Sequence, residues 1–208
     1  MAEPILIYGK SGSGKSRSLI NFAEDEIYLV NVGKKRLPFK GKFKYVTQSD
    51  NVDLITNGLK KMPTKIAVID DAGFILANQY MKEHSSPKKG KDAFEMYDRI
   101  ADIFYKLINC IKDELPDDVI VYIIMHEDND DMGGTKLRTI GKLLDNKVDV
   151  AGRCTIALRC MSRDNKHFFR TVTDNYDITK TPEGMFESDE IENDLKMVDK
   201  TIREYYEM

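Results

Sequence analysis

The stretch from Ile5 to Ser16 constrains this chain more than any other. Ile5, Leu6, Ile7 and Tyr8 suit a buried strand. They run straight into Gly9-Lys10-Ser11-Gly12-Ser13-Gly14-Lys15-Ser16, a Gly-x-x-x-x-Gly-Lys-Ser pattern with helical spacing after it. Glycines in such a loop let the backbone wrap closely, so that successive N–H groups point at phosphate oxygens. The N-terminus of a following helix adds positive potential there. The pattern assigns Gly9 through Ser16 to a nucleoside triphosphate, Lys15 to its β- and γ-phosphates, and the Ser16 hydroxyl to Mg²⁺.

A chain of 208 residues fits one α/β domain spanning residues 1–208 and can bury a sizeable core. The formal charge of −3 gives no global attraction to nucleic acid or to anionic membrane, so any polyanion must be held by local patches. No basic segment leads an apolar stretch at the start, and the longest apolar run, Val119 to Met125, is too short for a bilayer. Cys110, Cys154 and Cys160 form no Cys-x-x-Cys pair and read as buried thiols of a cytoplasmic protein.

After the loop, Leu19, Ile20, Phe22 and Ala23 predict a short amphipathic helix over 17–24, and Ile27 to Val32 a second strand. Next come Lys34, Lys35, Arg36, Lys40, Lys42 and Lys44, interleaved with Phe39, Phe43 and Tyr45 and free of acids. Charge with rings suits a groove for single-stranded nucleic acid. Lysines protecting the edge of a solvated hairpin give the same pattern, and both readings stay open. Val52 to Lys61 has helical spacing. Lys65 to Asp71 is then an apolar strand closing on two carboxylates, the second signature of phosphate-loop proteins: a strand beside the loop that brings an acid to Mg²⁺. Asp70 is assigned to the metal through a water, and Asp71 to orienting or deprotonating the attacking water.

Lys82 to Lys91, with Lys88 and Lys89, reads as a basic loop, and Ala93 to Leu115 as one long helix with a wide apolar face. Val119 to Met125 reads as a central parallel strand covered on both faces. It ends in His126, where a polar group can sense the γ-phosphate. Asp128 to Gly134 is acidic and loop-like, and Leu137, Ile140, Leu143, Leu144 and Val148 predict a short helix. Two strands, 154–161 and 167–173, flank the turn Arg163-Asp164-Asn165-Lys166. An acidic amphipathic helix closes the chain over 187–208.

Asp70 to Gly73 fits Asp-x-x-Gly, and Asn146-Lys147-Val148-Asp149 fits the guanine-reading Asn-Lys-x-Asp. The latter follows a helical pattern instead of ending a buried strand, which argues against a GTPase. A small-molecule kinase would need an arginine-rich lid, and 82–91 has no arginine. The order metal-binding strand, basic loop, helix, sensor strand and second loop fits a RecA-like core, with a mostly parallel central sheet and helices on both faces.

The loop Gly9–Ser16, Ile69-Asp70-Asp71, Met125-His126-Glu127, the run from Lys136 to Lys142 and the segment Asp177–Phe186 together resemble the phage-encoded RecA-like ATPases associated with single-strand annealing and recombination. That resemblance implies binding and hydrolysis of ATP with Mg²⁺, a homo-oligomer, and single-stranded DNA as a partner. It also implies a cation supplied across a subunit interface, for which Arg153, Arg159, Arg163 and Lys180 are the candidates. Two departures stand out. No glutamate ends the second strand, so Asp71 has to substitute. The second loop is acidic, which shifts DNA contact to Lys34–Lys44 and to Lys88, Lys89 and Lys91. The alternative is a nucleotide-switched assembly or loading factor. It would dock a protein partner, such as a single-strand-binding or replication protein, through the 187–208 helix.

Overall fold

The computed structural model describes residues 2–84, 91–141 and 148–208, and for Lys91 and Ala93 the backbone only. The strands are β1 (Glu3–Gly9), β2 (Ile27–Asn31), β3 (Tyr45–Thr47), β4 (Ile66–Asp70), β5 (Ile120–Asn129), β6 (Thr135–Leu137), β7 (Ile156–Arg163), β8 (Lys166–Arg170) and β9 (Glu190–Glu192). The helices are α1 (Val52–Lys61), α2 (Gly73–Glu83), α3 (Lys91–Asn109), α4 (Val150–Arg153) and α5 (Leu195–Tyr206). The sheet runs β3-β2-β4-β5-β1-β7-β8-β9, with β6 paired to β5. From β3 to β7 every pairing along this path is parallel. β6, β8 and β9 pair antiparallel.

Alternation along the strands sorts the core into two layers. Leu6, Val30, Ile69, Val121, Ile123 and Met125 face α1, α2 and α3. Their neighbours Ile5, Ile7, Leu29, Val68, Tyr122 and Ile124 face α5 and the chain that follows the loop. A strand buried on both faces needs apolar residues at successive positions, which is why β1, β4 and β5 read as continuous apolar runs. Each fully buried Leu or Ile contributes about 1.5–3 kcal/mol through lost water contact.

Several expectations from sequence need correction. The 17–24 helix is one turn of 3₁₀ helix, Ser16–Leu19, followed by turns. The reason is reach. β2 lies three strand positions from β1, and a parallel strand must start at the opposite edge of the sheet, a diagonal of about 20 Å. An α-helix over the twelve residues from Ser16 to Ile27 would span only about 17 Å.

The strand bearing Asp70 does not flank the strand bearing the loop, because β5 lies between β4 and β1. β5 continues to Asn129 and hairpins into β6, so Glu127 and Asp128 are strand residues, and Leu137 is in a strand instead of a helix. Residues 142–147, the rest of that predicted helix, lie outside the described residues. The long helix ends at Asn109 and passes into a π-helical turn, Cys110–Glu114. Of the predicted basic loop, Lys82 and Glu83 belong to α2 and Lys91 to α3, while residues 85–90 lie outside the described residues.

The predicted closing helix is present as α5, but its apolar face is already occupied. Leu195, Val198 and Ile202 are buried in the chain's own core. Asp194 caps its N-terminus through Lys196 and Met197 N–H, and Asp199 accepts a hydrogen bond from Tyr122 across the layer, 2.9 Å. The docking surface proposed from sequence is therefore an internal contact.

Candidate functional site

β1, β2, β4 and β5 point the same way, so their C-terminal ends share one edge of the sheet, where ligands of open α/β sheets bind. The register makes this concrete: Gly9 is level with His126, and Asn31 with Asp70. At that edge the loop turns through positive φ at Gly12 (79°) and Gly14 (104°), a region that favours glycine. Ser13 N–H bonds the Lys10 carbonyl, 3.2 Å. Beneath the loop, the Cys160 thiol donates to the Ser13 carbonyl (3.1 Å) and accepts from Asn193 Nδ2 (3.3 Å).

The side chains singled out by motif meet here. Lys15 is buried, and its Nζ donates to the Gly9 and Lys10 carbonyls, 2.9 and 2.7 Å. Burial lowers its pKa below the ordinary lysine value. Ser16 Oγ donates to Asp70 Oδ1, 3.0 Å. His126 bridges: its Nδ1 is 3.4 Å from Lys15 Nζ and its Nε2 is 3.0 Å from Asp71 Oδ1. The imidazole thus links the loop lysine to the second carboxylate.

Asp71 turns the chain from β4 into α2 at φ 60°, a strained conformation of the kind found at working sites. The two carboxyls are driven apart electrostatically. Asp70 is raised to about 6, first by burial and then by the charge of Asp71. At Asp71 burial pushes upward as well, but hydrogen bonds from His126 and Lys35, with the charge of Lys35, outweigh it and hold the group at about 2.

Lys35 was not placed here by sequence. Its Nζ lies 2.6 Å from Asp71 Oδ2. The cleft, about 340 Å³, is lined by the loop, Asp70, Asp71 and His126, and also by Arg17, Lys35, Arg36, Pro38 and His167. His167, on β8, packs against Gly14 so closely that a Cβ there would lie 2.7 Å from its ring. Nothing in local spacing announces Lys35, Arg36, His167 or Cys160. They arrive through the β2–β3 connection and the β7–β8 hairpin, whose positions follow from the sheet.

Mg²⁺ fits these residues. Among the described residues no cluster of three or more His, Cys, Asp or Glu side chains could hold a metal ion. The Ser16 hydroxyl with the adjacent Asp70 carboxyl would hold Mg²⁺ as a partial site, the rest of its shell left to phosphates and water. The raised pKa of Asp70 marks a buried carboxylate short of positive charge.

The remaining basic residues lie elsewhere. Lys34, Lys40, Lys42 and Lys44 are exposed, but the rings between them turn inward: Phe43 is buried, Phe39 packs edge-on against it, and Lys44 covers Tyr45. Charge is available to a polyanion on this segment, while these rings are not free for stacking. Lys88, Lys89 and the side chain of Lys91 lie outside the described residues, as do Asn146 and Lys147. Asp149 caps α4 through Gly152 N–H and does not line the cleft.

Of the four interface cations, Arg159 makes a bidentate pair with Glu127, 2.9 and 3.0 Å. Arg163 pairs with Glu190 and covers Phe168. Arg153 donates to Asn109 and covers Tyr105. Lys180 is exposed, bonded through its backbone to Ala157. No protein-family model matches the chain, and a search of curated proteins finds no match for it either.

Proposed function

We propose that this chain is a RecA-like P-loop ATPase that binds ATP with Mg²⁺, hydrolyses it, and acts as a homo-oligomer on single-stranded DNA in phage annealing, recombination or replication within the host cytoplasm. The observation that carries the reading is the meeting of Lys15, Ser16, Asp70, Asp71 and His126 at the ends of three parallel strands, each in contact with another. The position of the sensor strand also supports it. β5 lies between the loop's strand and the acid's strand, so His126 touches both Lys15 and Asp71.

Phosphoryl transfer asks the protein for position and charge more than for covalent chemistry. Loop N–H groups and Lys15 hold the β- and γ-phosphates. Mg²⁺ held by Ser16 and Asp70 would neutralise charge on those phosphates. Asp71, at about 2, is too weak a base to take a proton early and is suited to orienting the water. In the transfer the water oxygen bonds the γ-phosphorus as the β–γ bridge breaks. ADP keeps the bridging oxygen, and the proton leaves with phosphate.

The test is turnover of ATP and GTP, with and without single-stranded DNA, over a salt series. Expected are ATP hydrolysis stimulated by DNA, DNA binding that weakens steeply with salt, and loss of nucleotide binding in Lys15→Ala. Hydrolysis untouched by DNA, with no DNA bound at moderate salt, removes the DNA half. The assembly-factor alternative would have to use a surface other than the apolar face of α5.

A further inference from the structure

We infer that Lys35 is a ligand of the γ-phosphate supplied by the same chain, held on Asp71 until the nucleotide arrives. The inference rests on the ATPase reading and deepens it. It starts from how the residue is held. Asn31, at the end of β2, grips the backbone of Lys35 from both sides: its Oδ1 accepts from Lys35 N–H, 3.1 Å, and its Nδ2 donates to the Lys35 carbonyl, 2.7 Å. Lys34 turns the chain at φ 51° just before it. The backbone is thus fixed while the side chain extends back over the strand ends. There Nζ sits on Asp71 Oδ2 and lies 5.0 Å from the centroid of the Phe74 ring.

Two lysines therefore bracket the cleft. Lys15 is on its floor, bonded to loop carbonyls. Lys35 is at its mouth, with 58 % of its side chain exposed. They are joined through His126 and Asp71. Charge balance calls for the second one. Asp70 and Asp71 together offset the two charges of a bound Mg²⁺, which would leave Lys15 alone on the cleft floor against the triphosphate. Arg153, Arg159 and Arg163 are engaged away from the cleft; of the further cations that line it, Arg17 bonds Asn193, whereas Lys35 reaches Asp71 at the strand ends.

Only the lysine end of the pair is open to water: Asp71 is buried and keeps its hydrogen bond from His126, while Lys35 can exchange the carboxylate for a phosphate oxygen, a charge-assisted bond of the same kind. The exchange has a second effect. Asp71 keeps His126 on Oδ1 and gains a vacant Oδ2, the atom that can accept from the attacking water. Arrival of the γ-phosphate and availability of Asp71 become one event. ADP, lacking that phosphate, leaves the pair closed. This takes Lys35 out of the set of DNA contacts expected from sequence.

The experiment compares wild type with Lys35→Ala and Lys35→Arg. Affinities for ADP and for a non-hydrolysable ATP analogue are measured with Mg²⁺ by displacement of a fluorescent nucleotide, alongside turnover. Lys35→Ala should lower analogue affinity about tenfold while ADP affinity stays within about threefold. Turnover should fall about a hundredfold. Lys35→Arg should keep much of the preference for the triphosphate. Mixing Lys35→Ala with Lys15→Ala protein should recover no turnover, since each site needs both lysines from one chain. Recovery on mixing would assign Lys35 to a neighbouring subunit and overturn the inference. Equal triphosphate preference in Lys35→Ala and wild type overturns it too, and leaves the ATPase reading standing. A wild-type protein that binds neither nucleotide overturns both.

Discussion

Asp70 sits in a buried position beside a second carboxylate, and without a cation its ionised form is costly. With a folded pKa of about 6 against an ordinary 3.8, the cost is absent below pH 3.8, grows between 3.8 and 6, and is fully present above 6. Asp70→Asn keeps an acceptor for Ser16 and removes the charge. In EDTA and without nucleotide, this variant should unfold at a higher temperature than wild type at pH 8, by an amount equivalent to about 1–3 kcal/mol. The advantage should disappear as the pH falls toward 4. Thermal melts across that range check it, and a variant less stable than wild type at pH 8 would count against the electrostatic account. The same variant should lose Mg²⁺-dependent nucleotide affinity. At this scale the sequence was most legible where one short motif carries the geometry. Lys15, Ser16 and Asp70 are fixed by the loop pattern and by a strand ending in an acid. Lys35, His167 and Cys160 were not legible. Their neighbours in space are 36, 153 and 147 residues away in the chain.

At the scale of elements, α5 does for one face of the sheet what α1, α2 and α3 do for the other. Ile202 is fully buried there. Ile202→Ala should destabilise the protein by about 2–4 kcal/mol through lost burial and the cavity left behind, read as a lower midpoint in denaturant at unchanged slope. A helix free to leave for a partner would give a far smaller change. Helices with a strong apolar periodicity, α1, α3 and α5, were evident from spacing. So was the β7–β8 hairpin, whose two turn residues, Asp164 and Asn165, adopt φ 52° and 60° as a two-residue turn requires. The segment 17–24 and the start of the predicted helix at Leu137 were misread for a common reason. Each has apolar residues three and four apart, but the distance to be crossed sets 17–24, and pairing with β5 sets 135–137. Short periodic stretches give way to such constraints because a helix of two turns has little stability of its own.

Across the whole molecule, the cleft is assembled from the ends of four strands and two loops, so a ligand that bridges them should stabilise the entire sheet. MgATP at a hundred times its dissociation constant should add about 2.7 kcal/mol, which for a chain of this size raises the melting temperature by about 5–10 °C. The non-hydrolysable analogue serves the measurement, and Lys15→Ala should show no shift. That a parallel α/β sheet would form was clear from alternating strand and helix patterns. The strand order was not, since which strand lies between β1 and β4 depends on crossovers that leave no local mark. That order carries a consequence for synthesis. β1 leaves the ribosome ahead of the other strands of this sheet, yet its two partners are β5 and β7, which end at Asn129 and Arg163. The apolar run of residues 5–8 must wait, unpaired, until more than a hundred further residues have been translated. The cleft at the strand ends is therefore among the last parts of the nascent chain to form.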